Sequence, residues 1–249
     1  MDDFAVYEAF SPLDYLRSYY GELLTEADGL LKFLVASFAD LPSGCSVLEF
    51  GGGPTLIGLI PAARRASRIH FCDYVPENRA MVERWLAGDG SEFDWSPFIV
   101  RALEHEGVAS PTKADVAQRC AQIRSAVTKV TSCDIYASPP VEVESLFDVV
   151  VSNYCLDAVT NDKAQWHENI RNVKGLLRPG GLFVISSLLD ATYSDFGHTR
   201  YPNVRLQETD VREALEATGF EPASIRLVSA PADHADREYR GVVFAAATH

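Results

Sequence analysis

An apolar segment, Ser46-Val47-Leu48-Glu49-Phe50, runs directly into Gly51-Gly52-Gly53-Pro54-Thr55. With no side chains at the turn, the backbone can come close to a ligand. A second apolar run, Ile69-His70-Phe71-Cys72-Asp73-Tyr74, also ends on an acid. Two strands that each finish near a carboxylate, the first opening into a glycine turn, describe a nucleotide-type cofactor site at the carboxyl ends of adjacent parallel strands.

The surrounding pattern alternates strand and helix. Ser11 and Pro12 can cap and start a first helix, Gly21 breaks it, and a second runs from Glu22 to about Ala39. After the strand 46–50 the pattern predicts a helix over 56–66, a strand over 69–73 and a helix over 77–86. The unbroken apolar run 147–152 suits a strand buried on both faces. A helix over 162–177, with Lys174 and Arg178 near its negative end, leads through Pro179-Gly180-Gly181 to a strand over 182–186. A helix over 207–218 follows, and then two strands, 225–228 and 241–246, with no helix between them. The alternation predicts an α/β sheet with helices on both faces. The closing pair lacks the helix a parallel crossover needs, so one end of the sheet is predicted antiparallel. Residues 97–132 read as an insertion with one helix, about 113–128, and no clear sheet strand.

The chain has 249 residues, of which 47% are hydrophobic, enough for one core, and a single domain over 1–249 is expected. No apolar run reaches the ~18 residues of a membrane span, and Met1-Asp2-Asp3-Phe4 has neither the basic start nor the apolar core of a secretory signal. The five cysteines (45, 72, 120, 133 and 155) never form Cys-x-x-Cys and read as reduced thiols of a cytoplasmic protein. The six histidines are scattered without zinc spacing, so no metal site is expected. A net charge of −13 repels nucleic-acid phosphates and anionic lipid, and favours a cationic small-molecule partner or simply solubility. A monomer is the expected state.

A dinucleotide fingerprint needs a third glycine where this chain has Leu56, which weakens a nicotinamide-dinucleotide reading. Further motifs narrow the choice. They are Tyr7-x-x-Phe10-x-Pro12-x-x-Tyr15-Leu16-x-x-Tyr19-Tyr20, Gly-x-Gly-Pro-Thr at 51–55, Asp73-Tyr74 with Asn78, and Glu92-Phe93-Asp94-Trp95-Ser96-Pro97. Cys133-Asp134-Ile135, Cys155-Leu156-Asp157-Ala158 and Leu177-Arg178-Pro179-Gly180-Gly181 follow. With these the chain resembles, over nearly its whole length, the S-adenosylmethionine-dependent methyltransferases of the nicotinamide, phenylethanolamine and indolethylamine N-methyltransferase family.

The resemblance implies a Rossmann-like class I methyltransferase fold, with a seven-stranded mostly parallel sheet, an antiparallel last strand and an N-terminal helical lid over 1–44. It implies S-adenosyl-L-methionine as cofactor. Gly51, Gly52 and Gly53 would admit its methionine portion, with Glu49 beneath the cationic end. Asp73 would take the ribose hydroxyls through charge-assisted hydrogen bonds, near Tyr74 and Asn78. Asp134 and Ile135 would hold the adenine, Asn153 would lie beside the cofactor, and Tyr7, Tyr15, Tyr20 and Thr55 would close over it and bind its carboxylate. Taken alone, the tyrosines read as core aromatics and Trp95 as a packing anchor.

Methyl transfer from a sulfonium needs alignment and a dry cavity more than a protein nucleophile. An amine acceptor must lose its proton, and Asp157, after the strand 147–152, is the candidate general base, with helix capping as its alternative role. Tyr20, Asp157, Ser187 and Asp190 are the candidate acceptor contacts. The chain departs from the family here: Ser187 stands where the nicotinamide enzyme has an aspartate, Ala191 where the phenylethanolamine enzyme has a glutamate, and Leu13 where the family has an arginine. The segment 233–238 could add acidity from the last hairpin. The expectation is a small-molecule methyltransferase acting on an amine or heteroaromatic nitrogen. Transfer to oxygen, sulfur or carbon, a non-catalytic cofactor-binding protein, and a nicotinamide dehydrogenase are the alternatives.

Overall fold

A computed structural model describes residues 5–89, 93–234 and 236–249. Met1 to Phe4, Glu92 and Ala235 of the segments above lie outside them. After a short 3-10 turn, α1 (Pro12–Tyr20) starts at Ser11, whose hydroxyl accepts the Asp14 amide. Then follow α2 (Thr25–Phe38), β1 (Cys45–Phe50), α3 (Leu59–Ala62), β2 (Ala66–Asp73), α4 (Pro76–Ala87), α5 (Ser96–His105), α6 (Lys113–Ala126) and β3 (Val127–Ser132). The second half holds β4 (Phe147–Asn153), α7 (Lys163–Lys174), β5 (Leu177–Leu189), β6 (Tyr193–Phe196), β7 (Thr199–Pro202), α8 (Glu208–Ala217), β8 (Arg226–Pro231) and β9 (Gly241–Thr248).

Seven strands form one sheet in the order β3-β2-β1-β4-β5-β9-β8. β3, β2, β1, β4 and β5 pair in parallel, and β9 runs antiparallel between β5 and β8. The chain therefore has the expected mostly parallel sheet with an antiparallel last strand. Alternating side chains of β4 feed opposite layers: Val149 and Val151 pack under α2, α3, α5 and α6, while Val150 packs under α7 and α8.

Three readings of the sequence need correction. Residues 97–132 contain two helices and a sheet strand. β3 is a sheet edge whose Thr128 and Lys129 face solvent, so it never shows the apolar run of a central strand. The helix foreseen over 56–66 is a single turn, 59–62. The β6–β7 hairpin, turning at Gly197 with φ 60°, was not foreseen, because its strands are four residues long and largely polar.

α2 begins at Thr25 without a local cap. The Asp233 carboxylate, from the loop before β9, accepts the Thr25 and Glu26 amides at 3.1 and 2.7 Å. It thus supplies the missing N-cap from the far end of the chain.

Candidate functional site

The carboxyl ends of the parallel strands open into one cleft of about 1300 Å³, its mouth included. It has two ends. One is walled by Gly51, Gly52 and Gly53 after β1, Asp73 at the end of β2, Asn78 of α4, and Cys133 and Ile135 after β3. The other is walled by Tyr15, Tyr19 and Tyr20 of α1, Glu26 and Leu30 of α2, Tyr154 after β4, and Phe196, Tyr201 and Asn203 of the hairpin and its exit.

The glycine turn is held from below. The Gly51 and Gly52 amides both donate to the Cys72 carbonyl, at 2.9 and 3.2 Å, and the Thr55 hydroxyl donates to the Gly52 carbonyl at 2.8 Å. Gly51 and Gly53 take φ of 67° and 62°, the left-handed region that disfavours a Cβ. A Cβ on Gly52 would run into the Phe71 ring, and one on Gly51 into the Cys155 sulfur. Asp73 is the hub. One carboxylate oxygen accepts the Gly53 amide at 2.7 Å, and the other accepts the Val75 amide at 2.9 Å and the Asn78 amide group at 3.0 Å. Burial pushes its carboxyl up, and these donors offset the push.

The turn and Asp73 fit the ribose and methionine portions of S-adenosylmethionine. The glycines leave a cradle that side chains would fill, and Asn78 Oδ1, buried in the cleft wall, has no hydrogen-bond partner among the described residues. Tyr7, Tyr15, Tyr20, Thr55, Tyr74, Ile135 and Asn153 also line the cleft. Tyr7 donates its hydroxyl to the Ala158 carbonyl, bridging the N-terminus to the turn after β4. Trp95 stays out of the cleft and backs Tyr20, with ring centroids 5.8 Å apart, as a packing anchor.

Five predicted residues do not wall the cleft. Glu49 lies behind the glycine turn, against Gly58, with only a 3.5 Å contact from Asn153; burial lifts its carboxyl to about 8. Asp134 turns its carboxylate to the Tyr136 amide at 2.9 Å. Asp157 is fully buried behind Ala158 and Leu188, accepts the Leu188 amide at 2.9 Å, and is lifted by burial to about 7. Ser187 is buried beside β9. Asp190 faces a separate shallow groove, where Gln207 and Arg205 bind its carboxylate at 2.6 and 3.1 Å. Asp157 therefore stands behind the cleft lining, close enough to act electrostatically on Tyr15 and Tyr154, while Asp190 is held on the surface away from it.

Conversely, the sequence reading missed Glu26, Tyr154, Phe196, Tyr201 and Asn203 as cleft residues. Tyr154 was findable, since it follows β4 at its carboxyl end; its φ of 52° marks a strained turn there. Phe196 ties the hairpin to the N-terminal segment. Its ring stacks on Tyr201 at 4.4 Å and meets Phe10 at 5.0 Å and Tyr15 at 5.2 Å edge-on.

A glycine turn, a strand-end aspartate and this sheet order are those of a class I S-adenosylmethionine-dependent methyltransferase. Solved structures share the fold. An N-methyltransferase NodS from Bradyrhizobium japonicum matches with TM-score 0.52 at 19% identity, over 90% of this chain and 93% of that one. The 1,6-didemethyltoxoflavin-N1-methyltransferase of Burkholderia thailandensis matches with TM-score 0.54 at 18% identity, over 97% and 88%. The chain belongs to the NNMT/PNMT/TEMT family, whose model matches residues 2–249. It is 31% identical to nicotinamide N-methyltransferase of Homo sapiens over 85% of this chain and 82% of the relative. It is 30% identical to phenylethanolamine N-methyltransferase of Macaca mulatta over 92% and 84%. Among the described residues no helix is long and apolar enough to cross a membrane.

Proposed function

We propose that this methyltransferase acts on the nitrogen of a small amine or heteroaromatic compound. The observation that carries the reading is the aromatic wall at the far end of the cleft, where Tyr15, Tyr19, Tyr20, Tyr154 and Phe196 converge. When bound, S-adenosylmethionine supplies an activated methyl group on a cationic sulfur. Positive charge moves to a nitrogen acceptor as the new bond forms, and aromatic faces attract it throughout. The names of the family relatives, both N-methyltransferases, support the same acceptor atom.

This chain's residues do the positioning. Asp73 and the glycine turn hold one partner, and the tyrosine wall with Leu30 and Leu188 excludes water around the other. The far end of the cleft is open to an acceptor, which supports an enzyme over a binding module. As proposed, the enzyme works as a monomer in the cytoplasm, a reading supported by its five free thiols and acidic charge; sedimentation checks the first point.

The test is methylation of a panel of amines, pyridines, phenols, thiols and carbon acids with labelled cofactor. Label is expected in amines or pyridines. Label found only in phenols, thiols or carbon acids overturns the nitrogen assignment.

A further inference from the structure

We propose that Glu26 is the acceptor-anchoring residue, and that it selects a primary or secondary amine bound as its ammonium over a neutral heteroaromatic nitrogen. The inference rests on the nitrogen reading above and narrows it. Glu26 is half-buried in the first turn of α2 and lines the cleft at its aromatic end. Oε1 accepts the Asp233 amide at 2.7 Å and the Tyr239 hydroxyl at 2.9 Å. Among the described residues Oε2 accepts a hydrogen bond only from the same Tyr239 hydroxyl, at 3.0 Å. An ionised carboxylate offers about four acceptor positions, so Oε2 keeps capacity for a donor arriving from the cleft. The side chain is held in place by two elements, and among the described residues no lysine, arginine or histidine forms an ion pair with it within 4.0 Å, His234 acting on it only from farther off.

A second observation points to the same ligand. Asn203 Oδ1, buried in the wall of the same cleft, has no hydrogen-bond partner among the described residues, while the Asn203 Nδ2 donates to the Asp157 carbonyl at 3.4 Å. The polar groups singled out at this end are therefore hydrogen-bond acceptors set among ring faces. A ligand that answers both oxygens brings hydrogen-bond donors, and one that also brings positive charge is attracted by the carboxylate and the aromatic faces, as an ammonium is. A neutral pyridine nitrogen, an acceptor itself, answers neither oxygen. Burial pushes the Glu26 carboxyl up; the Asp233 amide, the Tyr239 hydroxyl and the His234 charge oppose the push, while the Asp233 carboxylate adds to it, so a bound cation would favour the ionised form. Arg237, the nearby cation of the last loop, is already engaged over the Tyr19 ring at 4.2 Å and with the Ser18 carbonyl at 2.7 Å.

The experiment is calorimetric binding to the S-adenosylhomocysteine-loaded protein, using phenethylamine, phenethyl alcohol and a pyridine as probes. The parent is expected to bind the amine about tenfold or more tighter than the alcohol, the scale of a hydrogen bond to a charged group. Glu26→Gln is expected to abolish that preference while binding S-adenosylhomocysteine like the parent, which also reports folding. Tyr239→Phe removes a donor from Glu26 but leaves its charge, and is expected to keep the preference. Equal binding of amine and alcohol by the parent overturns the proposal. So does an unchanged preference in Glu26→Gln, or its loss in Tyr239→Phe, which would mark a merely structural role. If the preference fails but amines or pyridines are labelled, Glu26 is the wrong anchor and the nitrogen reading stands. If it holds but no nitrogen compound is labelled, Glu26 binds ammonium groups but not the acceptor, and both the nitrogen reading and the acceptor-anchoring role fall.

Discussion

The Asp73 carboxylate accepts the Gly53 amide at 2.7 Å, and so ties the end of β2 to the glycine turn that follows β1. Its second oxygen holds the Val75 amide and the Asn78 side chain at the start of α4. One side chain thereby fixes three segments of the cofactor end of the cleft. Asp73→Ala leaves these donors without their acceptor and removes the charge offered to a ribose. Binding of S-adenosylhomocysteine is expected to weaken by about 1.5–3 kcal/mol, the worth of a charged hydrogen bond. Asp73→Asn, which turns one oxygen into a donor facing donors, is expected to weaken it too. Calorimetry at neutral pH measures both, and parental affinity in either variant contradicts the role.

Two buried acids set a pH dependence of stability. Burial raises Glu49 from 4.5 to about 8 and Asp157 from 3.8 to about 7. In the unfolded chain both ionise near their ordinary values, while in the folded protein both stay protonated longer. Between these limits the unfolded state binds fewer protons, so the contribution to stability is full below about pH 4 and is lost as pH rises toward 8. Glu49→Gln keeps an oxygen for Asn153 and removes the ionisation. At pH 8.5 it is expected to exceed the parent in stability by on the order of 1–3 kcal/mol, with little difference at pH 5. Urea unfolding at the two pH values checks this; parallel curves for parent and variant would refute it.

What could be read before the structure was known follows from how each feature is encoded. β1, β2, β4 and β5 are buried on both faces and announce themselves as apolar runs, and the glycine turn and Asp73 sit beside them in sequence. The α1 tyrosines were legible through a shared motif. β3 was not, because an edge strand shows solvent a polar face. Glu26 was not, because what fixes it, Asp233 and Tyr239, lies more than 200 residues away. Asp157 was placed in the cleft for a related reason. In the turn after β4, Cys155 and Ala158 face the cleft while Asp157 between them faces the core, a distinction of side that no sequence spacing in a turn can convey.

The hairpin carries the last prediction. Phe196 joins β6 and β7 to the N-terminal segment through its stack on Tyr201 and its edge contacts with Phe10 and Tyr15. The Tyr19 hydroxyl adds a bond to the Asp195 carbonyl at 3.1 Å. Among the described residues, none of these ring contacts or hydrogen bonds reaches the glycine turn or Asp73. Phe196→Ala therefore removes the ring that closes the acceptor end and leaves the cofactor end intact. Stability is expected to fall by about 3 kcal/mol, the low end for truncating a buried aromatic ring. The acceptor KM is expected to rise several-fold, while the affinity for S-adenosylhomocysteine stays near that of the parent. The contrast between the two ligands is the decisive measurement. Equal losses would mean that the hairpin supports the whole cleft, and an unchanged acceptor KM would mean that Phe196 does not bound the acceptor chamber.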